Sequence, residues 1–221
     1  MPGIRNYIQE IKNYFVVELL KRIKELIGEI KRRTIVRVIA GSAKNRKLKA
    51  PSGQDTRPIT SMIKEALFNV LGSKVNESSF LDLFAGSGSV GIEAISRGAS
   101  QVFFVDNSYK AIKVIKHNLD HCGFSDSAEV YKNDVFKVLD ILNKKAVVFD
   151  IIYIDPPFNN LEIFDQVMSA LDKKPQLLAP DGVIIIRSQR QQSLPDQYIN
   201  LVKSRLGKYG ESVLHYYIFK L

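Results

Sequence analysis

From Phe80 onward the chain alternates short apolar runs with segments whose apolar side chains recur every three or four residues. FLDLFA precedes SVGIEAISRG, QVFFVD precedes SYKAIKVIKHNLDHCG, and AEVYKND precedes VFKVLDILNKK. Short runs rich in β-branched and aromatic residues read as strands, and the longer spacing reads as amphipathic helices. VFDIIYID, LEIFDQVMSALDK and GVIIIRSQ continue the alternation, which predicts an α/β fold with a doubly wound parallel sheet. Two closing segments, INLVKSRLG and SVLHYYIFKL, face each other across KYGE, and the second alternates like an antiparallel edge strand.

Upstream the pattern changes twice. In residues 4–33, Ile4, Ile8, Ile11, Phe15, Leu19, Ile23, Leu26 and Ile30 trace one face of a helix, with Lys and Arg on much of the other. As one helix it would approach about 45 Å, and its stripe must be covered. Three covers are open: the rest of the chain, the same helix of a second copy (self-association), or an anionic membrane surface. Glu10, Glu18, Glu25 and Glu29 argue against a transit peptide. Residues 34–58 hold two β-prone pieces, IVRVIA and RKLKA, around a Gly-Ser-Asn turn region, which predicts a hairpin. Thr60 or Ser61 then caps a helix through MIKEALFNVL that ends at Gly72. The expected organisation is a helical extension over 1–34, a hairpin and helix over 35–75, and the main α/β domain over 76–221.

Charge narrows the partners. With 32 Lys and Arg against 23 Asp and Glu, the net charge of +9 favours a polyanion. Arg37, Lys44, Arg46, Lys47 and Lys49 face no acid between 34 and 50. The single cysteine, Cys122, excludes an intramolecular disulfide and a cysteine-based zinc site, which fits a reducing, cytoplasmic setting. No run reaches the roughly 18 apolar residues of a membrane span, and no secretion signal opens the chain.

The candidate chemistry lies at the strand ends. LDLFAGSGSVG carries G-x-G-x-x-G as Gly86, Gly88 and Gly91, between a strand and a helix, where a nucleotide-type ligand approaches the backbone. Alone it fits a dinucleotide, a flavin or S-adenosylmethionine. Asp82, four residues before Gly86, would repel a pyrophosphate but suits an ammonium group, which S-adenosylmethionine has. Asp106 ends the next strand, where an acid accepts from ribose hydroxyls, with Asn107 beside it. Asp134 ends the third strand and either caps the following helix or accepts from an adenine amino group.

YIDPPF closes the series. Asp155 would stand beside the reactive end of the cofactor, and Pro156 and Pro157 stiffen a loop whose carbonyls need outside donors, such as the exocyclic amine of a nucleobase. Two acceptors, the Asp155 carboxylate and the Pro156 carbonyl, would draw the hydrogens of that amine, and Phe158 would offer a stacking face. Proximity and orientation then suffice, and no metal is called for.

LDLFAGSGSVG, VFFVD, YKND and YIDPPF, in that order, resemble the motifs of class I S-adenosylmethionine-dependent amino-methyltransferases. RVIAGSAKNRKLKAPSGQDTRPITSMIKEALFNVL, together with the closing YGESVLHYYIF, is similar to the bacterial family that methylates N2 of one guanine in 16S ribosomal RNA. The resemblance covers about residues 35–221. It implies a Rossmann-like, mostly parallel seven-stranded sheet with an antiparallel C-terminal strand. It also implies S-adenosylmethionine held by Asp82, Phe84, Gly86, Gly88, Asp106, Asn107, Asp134 and Asp155, with Asp155, Pro156, Pro157 and Phe158 as the catalytic loop. Ribosomal RNA, within a small-subunit particle, would be held by Arg37, Arg46, Lys47, Arg57 and Lys64. Two other readings stay open: an adenine or cytosine amino-methyltransferase, and a non-catalytic RNA-binding assembly factor on the same fold. Residues 1–34 depart from the family, whose members begin near Arg37.

Overall fold

The computed structural model describes residues 16, 18–23, 36–51, 59–158 and 160–220. The expected helix over 4–33 lies outside them except at 16 and 18–23, where 18–23 are helical with Leu19, Leu20 and Ile23 exposed. Arg57 also lies outside them.

Residues Val36–Leu221 form one compact unit around a seven-stranded sheet of order β5-β4-β3-β6-β7-β9-β8. Its strands are β3 (Ser79–Leu83), β4 (Gln101–Asp106), β5 (Ala128–Lys132), β6 (Phe149–Ile154), β7 (Leu178–Gln189), β8 (Leu201–Tyr209) and β9 (Ser212–Phe219). The first five run parallel to one another, and β9 runs antiparallel to both of its neighbours. The sheet is therefore the expected parallel one with an antiparallel C-terminal strand. One detail differs: β9 is interior, between β7 and β8, and β8 forms the edge. Ser212–Tyr217 are all buried, so the apparent alternation of SVLHYYIF does not mark a solvent face.

Side chains of a strand point alternately to its two faces, and this separates two cores. Phe80, Phe104, Ile151, Tyr153 and Ile185 pack on one face with helices α1 (Ser61–Leu71), α2 (Ser89–Ser96) and α3 (Tyr109–Cys122). Leu81, Leu83, Val105, Ile152 and Ile154 pack on the other with α4 (Val135–Lys144) and α5 (Glu162–Asp172). Right-handed β-α-β crossovers require this two-sided cover. The Thr60 side chain caps α1 by accepting from Ile63 N–H at 3.3 Å, and Ser108 does the same for α3 through Ala111.

The predicted hairpin forms with very short strands, β1 (Val36–Arg37) and β2 (Lys47–Leu48), which are antiparallel. Val36, Val38, Ala43 and Leu48 join the first core, so the hairpin is seated on the sheet's helical layer. Its turn docks on the last turn of α2: Ser96 Oγ donates to Ala40 O at 2.6 Å and accepts from Ala43 N–H at 2.9 Å. At Gly41, where φ is +82°, a Cβ would stand 1.6 Å from Ser96 O, so only glycine fits. Among the described residues no helix is long and apolar enough to cross a membrane.

Candidate active site

The parallel register brings the ends of β3, β4 and β6 to one rim, with Leu83 beside both Val105 and Ile154. Ala85 N–H extends the ladder to Val105 O at 3.0 Å, and Asp155 N–H extends it to Leu83 O at 3.2 Å. Between these bonds the chain turns at Phe84, whose φ of +60° is uncommon for a residue with a Cβ. Strained backbone of this kind gathers at functional loops. The turn opens a cleft of about 310 Å³. Asp82, Phe84, Gly86, Asp106, Asn107 and the loop Asp155–Phe158 line it, as do Tyr153, Ser87, Ser89 and Ser108. Ala50, Pro51 and Ile59, on the chain leaving the hairpin, line it too. Ligand pockets begin at about this size.

The glycine loop is held by two carboxylates. Asp82, 1% exposed, accepts from Gly91 N–H at 3.0 Å. Asp106 accepts from Gly86 N–H through one oxygen and from Ser108 N–H through the other, each at 2.8 Å. Asp106 thus shapes the loop, and Ser108 rather than Asp106 or Asn107 caps α3. At Gly91 a Cβ would lie 2.3 Å from the Phe104 ring, so this glycine lets α2 pack closely on β4. Burial pushes the Asp82 carboxyl well above the ordinary carboxylate range; Gly91 N–H opposes this, and the charges of Asp155 and Asp106 add to it. A cationic group in the cleft would supply the missing counter-charge.

Asp155 is wired differently. Burial pushes its carboxyl up as well, while Arg187 and then Tyr153 pull it down. Arg187 Nη1 donates to Asp155 Oδ2 at 2.7 Å, and Tyr153 OH donates to the same oxygen at 3.4 Å. Phe158 stacks on Phe164 of α5 at 6.4 Å between ring centres. The Pro157 carbonyl accepts from Asn160 N–H at 3.4 Å, so it finds its donor inside the chain rather than outside it.

Three expected residues stand elsewhere. Gly88 opens α2 with φ +73° but does not line the cleft. Asp134 also lies off the cleft; one of its oxygens caps α4 by accepting from Phe136 and Lys137 N–H. Lys64 requires a correction: it is 1% exposed and cannot reach RNA. Its Nζ pairs with Glu93 at 3.1 Å and donates to Arg37 O at 2.7 Å and Ser89 O at 3.3 Å. A run of basic residues in sequence does not distinguish a surface charge from one folded inward against a buried carboxylate. Arg37, Arg46 and Lys47 are exposed, and the Arg46 guanidinium donates to His121 O.

Lys64 and Asn118 tie the hairpin to the glycine loop. Asn118, 1% exposed, donates to Lys49 O and to Ser87 O, each at 2.9 Å, and accepts from Lys49 N–H. Each end of the hairpin therefore shares one buried side chain with the loop beside the cleft. Sequence reading missed this, as it missed Tyr153 and Arg187. The available signal was a lone arginine directly after the apolar run VIII.

Residues 36–218 match the family described as conserved hypothetical protein 95. The chain is 34% identical over 178 residues to ribosomal RNA small subunit methyltransferase D of Haemophilus influenzae, covering 78% of this chain and 89% of that protein. It is 40% identical over 175 residues to the YlbH protein of Bacillus subtilis, covering 79% and 94%. The solved structure of the yhhF protein of Escherichia coli superposes with a TM-score of 0.73 at 28% identity, over 84% of this chain and 98% of that one. With the cleft, the glycine loop and the D-P-P-F loop all inside the matched span, the chain belongs to the conserved hypothetical protein 95 family, the family of the small-subunit ribosomal RNA methyltransferase D proteins.

Proposed function

We propose that this protein transfers a methyl group from S-adenosylmethionine to the exocyclic N2 of a guanine in small-subunit ribosomal RNA, the position-966 type. One observation carries the reading: Asp82, Asp106 and the D-P-P-F loop, distant in the chain, line one cleft. The residues fit the cofactor. Asp82 is a buried carboxylate in need of a cation, which the ammonium group of the methionine part provides, and Asp106 with Asn107 stands where the ribose hydroxyls would lie.

S-adenosylmethionine supplies a methyl group on a positively charged sulfur, so the protein's task is to present the amine in line with it. The lone pair of a guanine N2 is delocalised into the ring. The Asp155 carboxylate and the Pro156 carbonyl accept its hydrogens and favour a more tetrahedral nitrogen, while Phe158 stacks on the base. Both donors from within the fold reach Asp155 Oδ2, which directs the other oxygen to the amine. Arg37, Arg46 and Lys47 hold phosphates of the RNA, within a small-subunit particle in the cytoplasm.

The purified chain, given methyl-labelled S-adenosylmethionine and either small-subunit particles or naked 16S RNA, should yield N2-methylguanosine on nucleoside mass spectrometry. Label on another base, or none on either substrate, contradicts the assignment.

A further inference from the structure

Behind the D-P-P-F loop lies a buried cation that does not itself line the cleft. Arg187 sits on β7, beside β6, and is 3% exposed. A guanidinium keeps its charge at any ordinary pH, so its burial needs an anion and hydrogen-bond acceptors. Nη1 donates to Asp155 Oδ2 at 2.7 Å, Nε donates to Ser212 Oγ of β9 at 3.3 Å, and Cζ stands 5.0 Å from the centre of the Phe158 ring. From a strand 32 residues later, one side chain touches both the acid and the aromatic of the loop. For stability alone this is a poor arrangement, because apolar residues of similar volume are often as good as a buried ion pair or better. Its use lies in what it does to the loop.

We infer that Arg187 is the positioning residue for the target amine: it fixes one Asp155 oxygen inward, leaves the other for the amine, and sets the plane of Phe158 on which the base stacks. The inference rests on the reading of Asp155 and Phe158 given above. Among the described residues, Asp155 Oδ1 takes no hydrogen bond from the protein, whereas Oδ2 takes two. The charged and titratable groups around it are Arg187 on β7, Tyr153 on its own strand, and Asp82 on β3, which Asp106 of β4 also faces. Arg187 is the positive charge in this set. It opposes the burial that pushes the Asp155 carboxyl up.

The test compares Arg187→Met and Arg187→Lys with wild type in the full chain. Arg187→Met should lower kcat about 100-fold while cofactor Kd stays within about threefold, the pattern of a misplaced reacting group rather than a lost ligand contact. With the cation gone, the Asp155 pKa rises, so the acid limb of the pH–rate profile moves to higher pH. Arg187→Lys restores the charge but not the planar fork, so the limb returns most of the way and kcat only in part. The chain has no tryptophan, so Phe158→Trp gives one reporter on the loop, readable without substrate. Its anisotropy should fall when Arg187→Met is added; if that protein does not fold, Arg187→Lys carries the same comparison with a smaller fall. An unmoved acid limb together with unchanged anisotropy overturns the inference. A wild-type chain that methylates no ribosomal RNA overturns the functional reading alone, and the anisotropy comparison still decides the place of Arg187.

Discussion

The two halves of the cleft are held by different means. The glycine loop is shaped by backbone N–H groups bonding to carboxylates from adjacent strands: Gly91 to Asp82, and Gly86 and Ser108 to Asp106. The D-P-P-F loop is held by side chains: Arg187, brought from far along the chain, on Asp155 and Phe158, and Phe164 of the following helix under Phe158. A backbone cradle is set once the strands are in register. A side-chain clamp depends on charge and burial, so it can be tuned or broken by a single substitution. The difference suits the proposed division of labour, in which one half binds a fixed cofactor and the other aligns a large, mobile substrate.

The sharpest way to separate the halves is Asp155→Asn. The amide should turn its oxygen to Arg187 and its NH2 to the cleft, where a donor would meet the donor of the target amine. Methyl transfer should fall about 1,000-fold, near 4 kcal/mol, while cofactor affinity stays within about tenfold. Single-turnover assays and calorimetry check this, and an unchanged rate would return Asp155 to a structural role.

Acid should act on the side-chain half. On β9, His215 is 3% exposed and its Nε2 lies 2.9 Å from Ser188 Oγ on β7, next in sequence to Arg187. Burial, then the nearby Lys203, pull its pKa from 6.5 down to about 4. The folded state refuses a proton that the unfolded chain accepts. The stabilisation is therefore fully present above pH 6.5 and is lost as the pH falls from 6.5 toward about 4. The loss should total about 3 kcal/mol, read as the difference in urea unfolding between wild type and His215→Asn at pH 7 and 4.5. Parallel profiles would remove His215 as the cause.

On the other half, Asp106→Ala removes the acceptor of Gly86 and Ser108 and the expected ribose contact together. Cofactor binding should weaken by about 2 kcal/mol, with the rate at saturating cofactor nearly unchanged. A loss confined to the rate would show that the two halves are not separable. The smallest effect is expected farthest from the chemistry. Charge reversal at Arg46 and Lys47 should lower the logarithmic salt slope of RNA binding by about 0.7–0.9 per lost phosphate contact, with cofactor affinity unchanged.

The same contrast explains what the sequence disclosed. Strands, helices, the glycine loop and the acids at strand ends follow from local periodicity and short spacings, and the hairpin follows from two β-prone pieces around a turn. What stayed hidden depends on pairings between distant segments. Lys64 reads as one more basic residue until Glu93, 29 positions on, folds against it. Arg187 reads as a strand end until β7 lies beside β6. SVLHYYIFKL reads as an edge because its strand order is set by β8 crossing outside it. Asp134 carried both readings in its sequence, and its place in the structure is that of a helix cap.

The central claim, methylation of ribosomal RNA through the D-P-P-F loop, is tested most directly in a strain from which the gene is deleted. Nucleoside mass spectrometry of its 16S RNA should show one N2-methylguanosine lost, restored by the wild-type gene and not by Asp155→Asn. An unchanged set of modified nucleosides, or restoration by Asp155→Asn, would contradict the account.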